Sequence, residues 1–469
     1  MKSPTAGRRR SSAKPTIANL AALGAERLAE LLLAAAKADP ALMRALSLTI
    51  AATDGALTGE IDKQLARLRQ ARGLLNAKKV AALKRELANL AQAIVETLGS
   101  KDPAAGLERL LDFLGLAQWV LDRQTDNGQA LAEVFRSAAG RAGELVARVT
   151  PAAVQAQLVR SAYQVFITDQ CDIAEDLIST VAQALDQPGR DTLRAMIEAD
   201  LQKFEPQSGA GSQSLYRFWM LTGALADVAD VEGDVDGFIA AQQRRGPRVR
   251  DDAAIATRLL EAGRAQDALA AIDAAELNPA KPAHVLADLR IQALDALGRR
   301  EEAQAARWAQ FQVDLSVDSL RAFLKRLPDF EDFEREQEAL ELVRRHPDTL
   351  AALDFLSAWP DFKRAGALVR ERLAVVDGDA YWVLAPAAER LGPKDPLAAI
   401  LLYRLMIDFA LERGRSARYG HAARHLQDCS ALAGSVLDWE GWPTQAAYLA
   451  GIEREHGRKF SFWNRVTVD

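Results

Sequence analysis

The sequence predicts an all-α protein, a right-handed helical-hairpin solenoid preceded by an N-terminal helical array. Three observations carry this reading. A helix-turn-helix phrase returns at a nearly fixed interval: Gly263-Arg264-Ala265-Gln266-Asp267-Ala268-Leu269, closing at Asn278-Pro279, is its clearest copy. Gly298-Arg299-Arg300-Glu301-Glu302-Ala303 repeats it, with Ala303 35 residues after Ala268. Ala, Leu, Glu, Arg and Gln, all strong helix formers, dominate the composition. Val, Ile and Thr rarely occur in runs, so the alternation that marks strands is missing.

The chain opens with a basic tail, residues 1–15, where Lys2, Arg8, Arg9, Arg10 and Lys14 stand beside Pro4, Gly7 and Pro15 with no acid. It is expected to be disordered. An N-terminal α-helical domain follows over 16–204. Leu20, Leu23, Leu28, Leu31 and Leu32 form a stripe there, and Asp39-Pro40 starts the next helix with Asp as cap and Pro in the first turn. Similar punctuation recurs at Asp102-Pro103, Thr150-Pro151 and Gln187-Pro188-Gly189. This half reads as about nine helices joined by connections of ~2–8 residues. Residues 205–212, Glu-Pro-Gln-Ser-Gly-Ala-Gly-Ser, have linker composition. The solenoid with its C-terminal cap then occupies 213–469.

The repeat phrase has a physical logic. Its glycine ends one helix where φ turns positive, and its acid opens the next near the positive end of the helix dipole. The small residue then lets the helices of a hairpin approach closely. Gly237, Ala268, Ala303 and Ala339 succeed one another at 31, 35 and 36 residues, and Arg364-Ala365 and Ala398-Ala399 echo them. Units of this period bury their apolar faces only against their neighbours.

The totals exclude several classes. A formal charge of -5 with a pI near 5.8 argues against coating nucleic acid wholesale. Two cysteines, Cys171 and Cys429, allow neither a disulfide framework nor a four-cysteine zinc module, which fits a reducing cytoplasm. The best apolar run, Leu20 to Ala36, is interrupted by Glu26, Arg27 and Glu30, so no membrane span is expected. No phosphate-binding Gly-rich loop, Gly-x-Ser-x-Gly elbow, His-Glu-x-x-His or dinucleotide fingerprint occurs.

The Gly263–Pro279 copy resembles a tetratricopeptide repeat, which fixes a hairpin geometry and says little about a ligand. A narrower resemblance sits at the two ends. The opening Ala21-Ala22-Leu23-Gly24-Ala25-Glu26-Arg27-Leu28 with Ala38-Asp39-Pro40 resembles an uncharacterised all-helical bacterial family, a domain of unknown function. So does the closing Tyr419-Gly420-His421-Ala422-Ala423-Arg424-His425-Leu426-Gln427-Asp428-Cys429, with His456-Gly457-Arg458-Lys459-Phe460-Ser461-Phe462-Trp463 beyond it. The helical region is similar to that of SWIM zinc-finger-associated proteins. That motif needs a Cys-x-Cys and a Cys-x-His pair, and this chain has neither, so zinc-finger function does not follow. The resemblance implies no activity, cofactor or catalytic residues.

Two places remain where chemistry can sit. His421, His425 and Cys429 are spaced i, i+4, i+8, and two imidazoles at i, i+4 can share a divalent metal. His421 and Cys429 would lie ~12 Å apart along the axis, so a third ligand must come from His456, Asp428 or Glu440. The bland alternative packs His425 and Cys429 into the hairpin and leaves His421 solvated. The second place is the acid-free segment 63–85, carrying Lys63, Arg67, Arg69, Arg72, Lys78, Lys79, Lys84 and Arg85. It can meet nucleic-acid phosphates, or be a solvated face or a partner for acidic helices elsewhere. Glu232, Asp234, Asp236 and Gly237 imitate a calcium loop, but position 12 would be Gln243, which cannot ligate in bidentate fashion. Asp377-Gly378-Asp379 reads as a turn. Trp439, Trp442 and Trp463, with Tyr448, Phe460 and Phe462, read first as a cap on the last apolar face and second as a hot spot.

The expected role is therefore a non-catalytic scaffold or adaptor that holds another protein in the solenoid groove, without a cofactor. Phosphate binding through the basic hairpin and metal-dependent hydrolysis at His421 and His425 are the alternatives.

Overall fold

A computed structural model describes residues 16–124, 129–204, 212–277, 286–328 and 330–466. The basic tail, most of the 205–212 linker and the Asn278-Pro279 close of the repeat phrase lie outside them. The described residues are all-α and contain no strand; a single parallel bridge joins Leu75 and Gln124. By contact the chain divides into two compact units, Met1–Arg258 and Leu259–Asp469. The helices that flank the linker, Gln187–Phe204 and Ser212–Glu232, pack on each other within the first unit.

In the first unit the punctuation residues act as anticipated. Asp39 accepts from the backbone N–H of Ala41 at 3.0 Å with Pro40 in the first helical turn, and Asp102 accepts from Ala105 at 3.0 Å ahead of Pro103. Each satisfies a donor that the first turn would otherwise leave orphaned. The core holds Phe113 stacked on Phe135 at 4.8 Å, and Tyr163, whose hydroxyl donates to Asp200 at 2.8 Å. The N-terminal leucine stripe is different. Leu20, Leu23, Leu31, Leu32 and the neighbouring Leu33 are all exposed, and in the Ala25–Ala38 helix only Ala36 is buried. Short helices such as Ala117–Leu121 and Ala142–Val146 interleave with the long ones. A single turn is too brief to impose a readable period.

In the second unit every helix from Ala265–Glu276 to Tyr419–Ala433 packs on its successor, and several also touch the next but one. Gly263 and Gly298 take positive φ, 71° and 70°, as the repeat phrase requires. Arg264 binds Asp267 and Arg299 binds Glu302 across matching i, i+3 pairs, so the two copies fold alike. Ala268, Ala303, Ala339, Ala365 and Ala398 are all fully buried. A larger side chain there would overpack a close helix contact, at a cost of roughly 1–3 kcal/mol.

Near the end of this unit lies Pro396–Glu412, a helix apolar almost all round, with Leu397 to Leu402 wholly buried. A helix of that pattern must be enclosed by others. Tyr381–Leu391 packs on one side of it and Tyr419–Ala433 on another.

Candidate functional site

These three helices build a concavity. Its floor is the Pro396–Glu412 helix, whose start is fixed by Asp395. That carboxylate accepts from Ala398 N–H at 3.1 Å and takes both Arg370 Nη atoms at 2.8 Å; Arg370 Nε reaches Glu440 at 2.8 Å. On one wall Gly378 lets the chain enter the Tyr381–Leu391 helix against the floor. A Cβ at that glycine would stand 2.6 Å from the Leu405 carbonyl and 2.7 Å from Phe409 Cβ. On the other wall Ala422 and Ala423 are buried, and their small side chains allow Tyr419–Ala433 to approach closely.

Two cavities lie between the walls. The wider, about 950 Å³, is lined by Ala388, Leu397, Tyr403, Ala431, Leu432 and Val436 among others. The narrower, about 650 Å³, includes Tyr381, Ala385, Met406, Ala410, His421 and His425. Glu389 and Asp428 line both, so the two meet at a shared waist.

Most cations around this groove are already engaged. Arg370 is held by Asp395 and Glu440, and Arg418 pairs with Asp379 while lying 4.7 Å over the Tyr381 ring. Arg424 donates to His421 Nδ1 at 3.0 Å. Among the described residues Glu389 has no ion pair, and the partner of Asp428 is His425, 3.6 Å away. His425 stacks on Tyr403 with ring centroids 5.0 Å apart. Burial holds its imidazole below the ordinary histidine range, and Asp428 offsets only part of that.

His421 and His425 thus share a cavity, as their spacing implies. Cys429 does not join them. An i+8 residue has drifted ~80° around a helix of 3.6 residues per turn, enough to turn it from the groove into the core. Its thiol is fully buried, 3.8 Å from the Ile400 carbonyl, and burial pushes it up to about 12. The other ligand candidates are dispersed, Glu440 on Arg370 and His456 outside the cavity lining. Among the described residues no three His, Cys, Asp or Glu side chains converge as a metal site would need.

The basic segment folds into two helices, Leu57–Gln70 and Ala77–Gln92, and much of its charge is met from elsewhere. Lys63 lies 3.6 Å from Glu60, Arg69 3.4 Å from Asp112 and Arg85 3.2 Å from Asp39. Arg67 pairs with the buried Glu86, which also takes Arg44 at 2.5 Å. Arg72 lies over the Trp119 ring at 6.0 Å. Lys78, Lys79 and Lys84 are exposed with no acid in ion-pair range among the described residues.

The remaining motifs are structural. Asp234 caps a helix by accepting from Gly237 N–H at 2.9 Å, which explains the calcium-like run as a repeat turn. Asp377 accepts from Asp379 N–H at 2.9 Å. Trp439, Trp442, Tyr448 and Trp463 pack on the core, and Phe462 is fully buried within it. The nearly buried Arg404 binds the Pro443 carbonyl at 2.7 Å and Gln445 at 3.0 Å, with its guanidinium 4.4 Å from the centre of the Tyr448 ring. That locks the cap onto the floor helix.

Glu389 at the waist and Tyr403 in the wider cavity escaped the sequence reading. The one available signal was Tyr403-Arg404 interrupting an otherwise apolar helix, since polar side chains on an enclosed helix need a reason. Glu389 carried no signal of its own.

The family model described as "Family of unknown function (DUF6880)" matches residues 12–465. The chain therefore belongs to that family. No curated protein matches it. No helix among the described residues is long and apolar enough to cross a membrane.

Proposed function

We propose that this member of the family is a non-catalytic interaction scaffold or adaptor, a tetratricopeptide-like solenoid whose C-terminal groove takes a segment of another protein. One observation carries the reading: the two cavities share Glu389 and Asp428, so they form one elongated trough rather than a closed pocket. An elongated, mostly apolar trough between helices with a few polar groups suits a peptide chain. Helical repeats use such surfaces for partners. The scattered metal ligands and the Arg424–His421 hydrogen bond weigh against a hydrolase.

A photo-crosslinking amino acid at the exposed, groove-lining Ala431 tests this in native extract. The expected result is a discrete adduct that excess unlabelled protein removes and an unlabelled Ala431→Trp variant does not. Adducts that the Trp variant removes equally well would end the groove reading.

A second reading, phosphate contact by the basic hairpin, rests on Lys78, Lys79 and Lys84. It loses force because the other cations of the segment have partners within the fold. A gel shift at low salt, present for the native chain and absent after all three become Glu, would restore it.

A further inference from the structure

We propose that the waist of the groove is a receptor for one cationic side chain, the guanidinium or ammonium of an Arg or Lys in the bound peptide, with apolar neighbours seated in the two lobes. This rests on the peptide reading above. Glu389 and Asp428 stand on opposite walls, on the Tyr381–Leu391 and Tyr419–Ala433 helices, and each lines both cavities. Neither has an Arg or Lys within ion-pair distance among the described residues. A cation between them would gain two charge-assisted hydrogen bonds in a partly enclosed setting.

Tyr403 supplies an independent observation. Its side chain rises from the floor helix into the wider cavity, it is only 5% exposed, and its hydroxyl has no hydrogen-bond partner among the described residues. The hydroxyl keeps some solvent contact at the cavity surface, where a ligand N–H can replace water and donate to it. The phenol is kept protonated mainly by burial and then by the negative charge of Asp428 and Glu389, so both carboxylates act on the same spot. The third neighbour, His425, is shifted by burial toward its neutral form, which weakens its compensation of Asp428.

The nearby cations do not already fill the place. Arg370 and Arg418 are committed to Asp395, Glu440 and Asp379, and Arg424 donates to His421. Lys394 lines the wider lobe and has no acid within ion-pair distance among the described residues. The lobes on either side, Leu397, Leu432 and Val436 in one and Met406 and Ala410 in the other, suit apolar side chains flanking the charged one.

The test is selection from a random peptide display library on the full chain, followed by affinity measurement. The expected binders share one Lys or Arg between apolar residues and are abolished by Ala431→Trp. Replacing that residue by norleucine or citrulline should weaken binding at least about tenfold on the native protein. On a Glu389→Gln/Asp428→Asn variant, checked for an unchanged thermal melt, the same replacement should cost much less. Selected peptides that Ala431→Trp abolishes but that lack a basic position would overturn the cation receptor and leave the groove standing. So would an equal loss in both backgrounds. Enrichment that survives Ala431→Trp, or no enrichment at all, would remove the groove reading and the receptor together.

Discussion

The basic hairpin and the C-terminal groove distribute charge in opposite ways. The hairpin concentrates eight cations in one stretch of sequence, yet Glu60, Glu86, Asp112 and Asp39 pair with four of them once the first unit folds. The groove draws Glu389 and Asp428 from separate helices, and among the described residues neither has an Arg or Lys partner. Charge clustered along a chain says little about the field a ligand meets, because packing brings neutralising groups from far away. Charge that stays uncompensated at a concave surface is the better pointer to function.

The sharpest way to break this comparison is at Glu86. Its carboxylate is 4% exposed and serves both Arg44 and Arg67, so Glu86→Gln strands two guanidiniums that burial already disfavours as cations. The stranded guanidiniums are 27% and 43% exposed, so solvent screening cuts the ~3–5 kcal/mol of a fully buried pair to roughly 2 kcal/mol. Urea unfolding should show a loss of that order, and one below about 1 kcal/mol would mean that the hairpin's charges are not held by the fold.

Asp227 is a largely enclosed acid of the first unit. Burial, aided by Asp230, Asp176 and Glu175 and opposed by Arg245, pushes its carboxyl up to about 7. The folded protein therefore holds a proton that the unfolded chain releases near the ordinary carboxylate value. Stability should fall as pH rises between about 4 and 7 and then level off. Asp227→Asn should remove that slope and stabilise the protein at pH 8 by on the order of 2 kcal/mol. Denaturant titrations at pH 5 and pH 8 that give the same difference between variant and native protein would refute the assignment.

His425 sits between the two cases, packed on Tyr403 and facing the groove. His425→Ala should cost about 1–2 kcal/mol through lost packing. Elemental analysis after dialysis is expected to find far less than one zinc per chain before and after the change. Stoichiometric zinc lost with the imidazole would revive the hydrolase.

The smallest expected effect is the most discriminating. Glu389→Gln/Asp428→Asn should leave stability within about 0.5 kcal/mol, as for surface changes away from any network. Carboxylates with structural work would behave like Glu86. A loss above about 2 kcal/mol in the double variant would place Glu389 and Asp428 among the groups that hold the fold.

Local rules that act within one helix were legible in advance. Asp39 and Asp102 cap their helices because a short acid can reach a free N–H in the next turn, whatever lies beyond. Gly263 and Gly298 take positive φ because only glycine does so without strain, and Ala268, Ala303 and Ala339 are buried because the hairpin contact admits nothing larger. His421 and His425, at i, i+4, line one cavity. Extending that spacing to Cys429 failed, since helical drift accumulates over two turns. What lay beyond reach was everything decided by which helices meet. The exposure of the N-terminal leucines, the capture of Arg67 by Glu86, and the convergence of Glu389, Tyr403 and Asp428 depend on distances across packed helices. The sequence determined the helices, their caps and the small residues at which they close. Tertiary packing alone decided which charges are satisfied and which remain open to a partner, because electrostatic pairing acts through space and not along the chain.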